Sequence, residues 1–206
     1  MKVFRVASLA LVLVALTATV RAEDVSRWTE ISPSARRIDW TAAGLTPASE
    51  VAESFVAPLG YRLERYLWKA QKPAGTFAIA VLRDLTEDDH YLSGPVDLMK
   101  FATTVLKGLE APVPKALDTG DEQLTTGTGV AMARRFELGP RQCMVVGLYA
   151  DPNGQPAKAG APLTEGNLRM DGVYCAAAGQ PLSADQAATV AASLKMIVPK
   201  KTAKAK

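Results

Sequence analysis

Gly129-Val130-Ala131-Met132-Ala133-Arg134-Arg135-Phe136-Glu137-Leu138-Gly139-Pro140-Arg141-Gln142-Cys143-Met144-Val145-Val146-Gly147-Leu148-Tyr149-Ala150 holds two strand-like runs about a central turn. Val130, Met132, Phe136 and Leu138 alternate with outward residues, the period-2 signature of a strand with one covered face. Gly139-Pro140 is turn chemistry and sends the chain back on itself. The second arm, Met144-Val145-Val146-Gly147-Leu148, is apolar at successive positions, which predicts a strand at the centre of a sheet. Arg134 shares the parity of the apolar side and Arg135 does not, so one of them is expected at the margin of a covered surface.

Downstream, Asp151 to Gly166 holds Pro152, Gly154, Pro156, Gly160 and Pro162, too much punctuation for a regular element. Unstructured loops of about 12 or more residues are more often functional or disordered than simply connecting, so Asp151, Asn153 and Gly154 are candidate binding-loop residues. Asn167 to Ala177 reads as the next strand. It carries Cys175, and Cys143 is the chain's other cysteine. In an oxidising compartment such a pair forms one structural disulfide, which should stabilise the fold by about 3–4 kcal/mol on the chain-entropy account. A thioredoxin-type redox site would need Cys-x-x-Cys at a helix start, and two Cys with one His are too few for structural zinc. Ser183-Ala184-Asp185-Gln186 has capping-box spacing and opens a last helix, with Ala187, Val190, Ala191, Leu194 and Ile197 on one stripe.

Upstream, Glu23 to Ala43 reads as loop with a short strand around Arg37 to Trp40. Thr46-Pro47 suits the N-cap and first position of a short amphipathic helix that carries Ala48, Val51, Ala52 and Phe55 and ends by Pro58 and Gly60. Tyr61–Ala70 and Thr76–Arg83 flank Lys72-Pro73-Ala74-Gly75 and predict a hairpin whose second strand lies inside the sheet. Tyr61, Leu63 and Leu67 share one face of the first strand, Tyr66 and Trp68 the other; such aromatics form either core or a sugar- or peptide-binding surface. Ser93-Gly94-Pro95 begins a longer helix with Asp97 in its first turn and Leu98, Ala102, Val105 and Leu109 at helical spacing. Leu117 to Leu124 is ambiguous. Hairpins without a repeating βαβ unit give an α+β class: a mainly antiparallel sheet with helices packed on it, an α/β sandwich with one disulfide.

Arg141-Gln142-Cys143-Met144 and Gly172-Val173-Tyr174-Cys175-Ala176, followed by Gly179-Gln180-Pro181-Leu182-Ser183 and a helix, resemble a group of uncharacterised secreted bacterial proteins with a paired-Cys strand pair and a C-terminal helix. The resemblance covers the last third of the chain that follows the leader. It implies an exported small domain and no activity.

Residues 1–22 are laid out as a secretory signal: Lys2 and Arg5, an uncharged run from Val6 to Val20, then Val20-Arg21-Ala22. The run rises about 22 Å as a helix, short of the ~30 Å hydrocarbon core, so cleavage after Ala22 is expected rather than an uncleaved anchor. Residues 23–199 then form a single domain, periplasmic or secreted and without a membrane span. Residues 200–206 form a disordered basic tail. Loss of Lys2, Arg5 and Arg21 brings the formal charge from +3 to zero, and without the four tail lysines the body stands at −4. That balance excludes a nucleic-acid surface, which needs a clustered basic face. Lys200, Lys201, Lys204 and Lys206 are either a solubilising end or a weak contact to an anionic surface.

The single His is His90, in Glu87-Asp88-Asp89-His90-Tyr91, and no Gly-x-Ser-x-Gly elbow accompanies it. Asp88, Asp89 and His90 are the candidate polar or metal site, against the plainer reading of a solvated acidic loop. Gly127-Thr128-Gly129 and Gly120-Asp121 lack the setting of a phosphate cradle, and no cofactor is expected. No pair among the acidic residues is marked out for glycosidase-type work. The expectation is an exported, non-enzymatic binding or accessory module for a small ligand or an envelope protein. Two alternatives stand beside it: an enzyme of unrecognised, carboxylate- or metal-based mechanism, and an envelope-associated structural protein.

Overall fold

The computed structural model describes residues 28–41, 45–56, 61–70, 74–85, 92–94, 97–118, 120–150 and 165–197. Along the chain the first strands are Thr29–Glu30 (β1), Ile38–Asp39 (β2), Leu45–Val56 (β3), Arg62–Ala70 (β4), Phe77–Asp84 (β5) and Leu92–Ser93 (β6), with a 3-10 turn at Pro33–Ala35. Helix Leu98–Lys107 (α1) follows, then Lys115–Ala116 (β7), Glu122–Thr125 (β8), Val130–Leu138 (β9), Arg141–Ala150 (β10), Glu165–Gly166 (β11) and Leu168–Cys175 (β12). Helix Ala184–Ser193 (α2) and Lys195–Met196 (β13) end the described chain.

One antiparallel sheet runs in the order β1-β3-β4-β5-β12-β10-β9-β7, with β8 also on β9. The hairpins β4–β5 and β9–β10 form where the alternation placed them, the second turning at Gly139, whose φ of +57° favours glycine. β12 comes late in the chain but lies between β5 and β10, so it joins two otherwise separate meanders. With two helices on this sheet, the described architecture is α+β.

Strand alternation sends side chains to two covered faces. Ala78, Ala80 and Leu82 of β5, Met144, Val146 and Leu148 of β10 and Met170 of β12 cluster with Ala187 and Ala191 of α2. Val145, Val173, Cys143, Cys175 and Phe136 cluster on the opposite side under Leu98, Ala102 and Leu106 of α1. Helix α2 starts where the sequence put it, whereas α1 starts later than expected, at Leu98, with Ser93 in strand β6 and Asp97 before the first turn rather than in it. Asp97 is the N-cap of α1, its carboxylate accepting from the Lys100 N–H at 2.9 Å, and Ser183 with Gln186 completes the capping box of α2.

Cys143 and Cys175 are directly opposed across β10 and β12, with Cα atoms 4.1 Å apart and the disulfide formed. The neighbouring pair Gln142 and Ala176 is hydrogen-bonded, which leaves the cysteines at a narrow, non-hydrogen-bonded site. Trp40 is fully buried on the α2 side and lies over Gly172 of β12. A Cβ at Gly172 would meet the Trp40 ring at 3.1 Å. The indole N–H donates to the Val190 carbonyl of α2 at 3.0 Å, and Trp68 and Tyr174 close around the ring at centroid distances of 6.1 and 6.2 Å.

Several expectations change. The helix placed at Thr46-Pro47 is strand β3, paired from Leu45 opposite Ala70 to Val56 opposite Arg62. Its Thr, Val and Phe favour a pleated surface, and β4 would otherwise lack an outer partner. The register shifts between Pro47 and Ala52, so the proline stands at an irregularity of the ladder, where it is tolerated. The ambiguous segment contributes strand β8, and the long loop ends in strand β11 at Glu165–Gly166. The final helix stops at Ser193, and Ile197 and Leu109, expected on buried stripes, are about half exposed. Residues 1–22 and the tail lie outside the described residues. Among the described residues no helix is long and apolar enough to cross a membrane.

Replacing Gly172 by Ala should destabilise the fold by about 1–3 kcal/mol, because the Trp40 ring is hemmed in and cannot yield. Denaturant midpoints measure this. Replacing both cysteines by Ala should cost about 3–4 kcal/mol in the same assay, since the closed loop constrains the unfolded chain.

Candidate functional site

At the end of the sheet formed by the C-terminus of β5 and the N-terminus of β12, the apolar pattern breaks on both faces. Arg83 and Arg169 are cross-strand partners there and project to the α1 side, since they share parity with Val81 and Val173. Like charges directly opposed on adjacent strands repel. The compensation comes two residues along, from Asp171.

Asp171 is fully buried, and both of its carboxylate oxygens are taken. Arg169 Nε donates to Oδ1 at 3.1 Å and to Oδ2 at 3.0 Å, and Arg83 Nη1 donates to Oδ2. The Tyr149 hydroxyl accepts from Arg169 Nη1 at 3.3 Å and donates to the Gly94 carbonyl at 3.1 Å. The Arg169 guanidinium also lies 5.4 Å from the Tyr149 ring centroid, within cation–π range. One buried acid thus fixes two guanidiniums whose side chains remain partly open to solvent, at 30% for Arg83 and 19% for Arg169.

These arginines open into a cavity of about 430 Å³ between the sheet and the first turns of α1. Lys100 and Asp97 line its helix side, with Val81, Phe101, Thr104 and Val105 completing the wall. Among the described residues, and counting buried Asp171, three cations face two carboxylates in the cleft, a surplus of one positive charge. A surplus cation in a concave site raises the local concentration of anions. What this arrangement can do chemically is hold an anionic group: guanidiniums present planar, forked donors that suit carboxylate and phosphate oxygens.

The opposite face carries a second ionic cluster. Arg37 donates through Nε to Glu64 Oε1 at 2.9 Å and through Nη1 to Asp84 Oδ2 at 2.5 Å. The Tyr66 hydroxyl donates to Glu64 Oε2 and accepts from the Arg37 backbone N–H. Burial opposes the Arg37 charge, but Glu64 and then Asp84 outweigh it and lift its pKa above the ordinary arginine value. Burial, with the Glu64 charge, pushes the Tyr66 phenol well above its usual range. This cluster is packed shut and ties the segment before β2 to the sheet.

No family model, curated protein or solved structure matches this chain.

Asp88, Asp89 and His90 lie outside the described residues, as do Asp151, Asn153 and Gly154. The described residues that flank their two segments are neighbours. Leu85 N–H donates to the Asn167 carbonyl at 2.8 Å, and Ser93 is opposite Glu165. Both segments therefore leave from the end of the sheet that carries Arg83 and Arg169. Among the described residues no group of three or more His, Cys, Asp and Glu side chains could hold a metal. Tyr66 and Trp68 are core, stacked at 5.5 Å, and Tyr61 is half-buried. Arg134 pairs with Asp121 and Arg135 with Glu122, so both arginines, not one, sit at the margin of a covered surface. Arg83, Arg169 and Asp171 were not singled out by the sequence. Their one local signal is polar residues interrupting two strands of central character, at Arg83-Asp84 and Arg169-Met170-Asp171.

Tyr66→Phe leaves the Arg37 N–H and one Glu64 oxygen without their partner and should cost about 1–3 kcal/mol near neutral pH. Above pH ~10 the unfolded chain loses phenol protons that the native protein keeps, so wild-type stability falls as pH rises through that value. Urea unfolding from neutral to alkaline pH should show a shallower alkaline loss for the variant.

Proposed function

We propose that this chain is an exported, non-enzymatic binding module whose ligand or partner is held by an anionic group in the Arg83–Arg169 cleft. The observation that carries the reading is the buried Asp171, which presents two guanidiniums to a cavity that Lys100 also lines. Asp171 serves as an anchor rather than a base, since both of its oxygens are occupied by guanidinium donors. In this reading the sheet and its two helices act as an α/β sandwich, a stiff scaffold that fixes the donors before the ligand arrives and so lowers the ordering cost of binding. The disulfide across β10 and β12 supports work outside the cytoplasm, where such bonds persist. So does the leader-like start of the sequence.

The test is to purify the chain from the extracytoplasmic fluid of its host and separate a host extract by charge. The anionic fraction should raise the thermal midpoint of the protein, by mass action on the folded state, and the neutral fraction should not. Arg83→Gln combined with Lys100→Gln should abolish that shift; the lost Arg83–Asp171 pair lowers the ligand-free midpoint while Arg169 still holds Asp171, so the shift is read from the variant's own ligand-free midpoint. Equal protection by the neutral fraction, or protection that survives the double substitution, would overturn the reading.

A further inference from the structure

The cationic cleft abuts an apolar neighbour, and the two line up as a groove. A second cavity, of about 270 Å³, is lined by Leu67 of β4, Ile79 and Val81 of β5, Val105 of α1, and Gly108 and Leu109 just beyond it. The two cavities share Val81 and Val105. On the helix side the walls climb in successive turns, from Lys100 and Phe101 through Thr104 and Val105 to Gly108 and Leu109, which is the i, i+4 ladder of one helical face. On the sheet side they descend β5 in steps of two, from Arg83 through Val81 to Ile79, all on the α1 side. The groove thus follows α1, whose ten residues span about 15 Å.

The groove stays open because of where α1 packs. Its strongest contacts are with β9, β10 and β12, so the α1 side of β4 and much of β5 lies beside the helix rather than beneath it. Leu67 and Val81 are accordingly only half-buried, and Leu109 is 51% exposed. Arg65 also lines this section, with its guanidinium 4.2 Å from the Trp28 ring centroid.

We infer that the groove binds a single-chain anionic amphiphile, a fatty-acid type of molecule, with its carboxylate at Arg83, Arg169 and Lys100 and its chain laid along Val81, Ile79, Leu67 and Val105. The inference rests on the anion-binding reading above and adds the apolar half of the ligand. Charge complementarity sets the direction. Arg83, Arg169 and Lys100 are gathered at one end with Asp171 fixing two of them, and the other end offers the aliphatic side chains of Leu67, Ile79, Val81, Val105 and Leu109, with its one cation, Arg65, held at the Trp28 ring. A small free anion would use the first cavity alone and leave the second unexplained. A wholly apolar ligand would leave the guanidiniums without an added partner.

Isothermal titration of the disulfide-bonded chain with dodecanoate, dodecanol, acetate and inorganic phosphate tests this, with dodecanoate kept below its micelle concentration. Dodecanoate should bind one per chain, at least about tenfold more tightly than either dodecanol or acetate, as expected when a charged hydrogen bond and apolar burial both contribute. Arg83→Gln with Lys100→Gln should weaken dodecanoate about tenfold or more and leave dodecanol unchanged. Val105→Asp, on the partly exposed side of α1, should weaken both, with the ligand-free midpoint checking that each variant folds. Acetate or phosphate binding as tightly as dodecanoate, while the anionic host fraction still protects, overturns the amphiphile inference and leaves the anion-binding module standing. Dodecanol binding as tightly as dodecanoate overturns it too, as does a dimer in solution that Val105→Asp dissociates and dodecanoate does not. If dodecanoate, acetate, phosphate and the host fraction all fail to bind, both readings fall together.

Discussion

Trp40 seated on Gly172 is the contact on which the two halves of this protein depend. β12 is the strand that closes the sheet, and at its midpoint the one residue without a Cβ leaves space for an indole from the other end of the chain. That indole spends its single N–H on the Val190 carbonyl of α2. One side chain therefore joins the segment before β3, the central strand and the last helix. A smaller residue at 40 would open a cavity and a larger one at 172 would displace the ring, and in a core packed near crystal density neither change is absorbed cheaply.

The small residues around this contact follow from it. Ala78, Ala80, Ala131 and Ala133 face the α2 side, where two tryptophans and Tyr66 fill the volume. The α1 side has fewer aromatics and is stapled instead, with Cys143 and Cys175 lying among Leu98, Ala102 and Leu106. Each face has its own device, and β12 belongs to both. Because its alternate residues serve opposite faces, a one-residue slip would bury Arg169 and Asp171 among the aromatics and expose Met170. The register that seats Gly172 under Trp40 is the same one that sets Arg169 opposite Arg83.

What could be read from the sequence was local. Gly139-Pro140 between alternating runs gave a hairpin, Ser183-x-x-Gln186 gave a helix start, and the pair of cysteines gave a bond, because each signal is complete within a few residues or within one pair. Thr46-Pro47 carried equally good local helix signals, yet β3 forms there because β4 needs an outer neighbour. The cleft was illegible for the same reason. Arg83 and Arg169 are far apart in the chain and meet only because β12 returns to pair with β5, a non-local pairing that no period or motif announces. Asp84 and Glu64 likewise find Arg37 only through the fold.

The two ionic clusters share one end of the sheet but differ in what they leave open. Glu64 and Asp84 pair with the Arg37 guanidinium, whose side chain is 12% exposed, and the Tyr66 hydroxyl accepts from the Arg37 backbone N–H, which makes that cluster a clasp. Among the described residues Asp171 is the one carboxylate paired with these two guanidiniums, which leaves a surplus positive charge that the strands hold beside a cavity. Breaking either cluster would leave buried charge uncompensated, so both resist loss. Stability alone does not account for the asymmetry, because a second carboxylate beside Arg83 would balance the charge and close the cleft. A fixed surplus cation at the head of an aliphatic groove fits a site that is completed by a ligand's own anion.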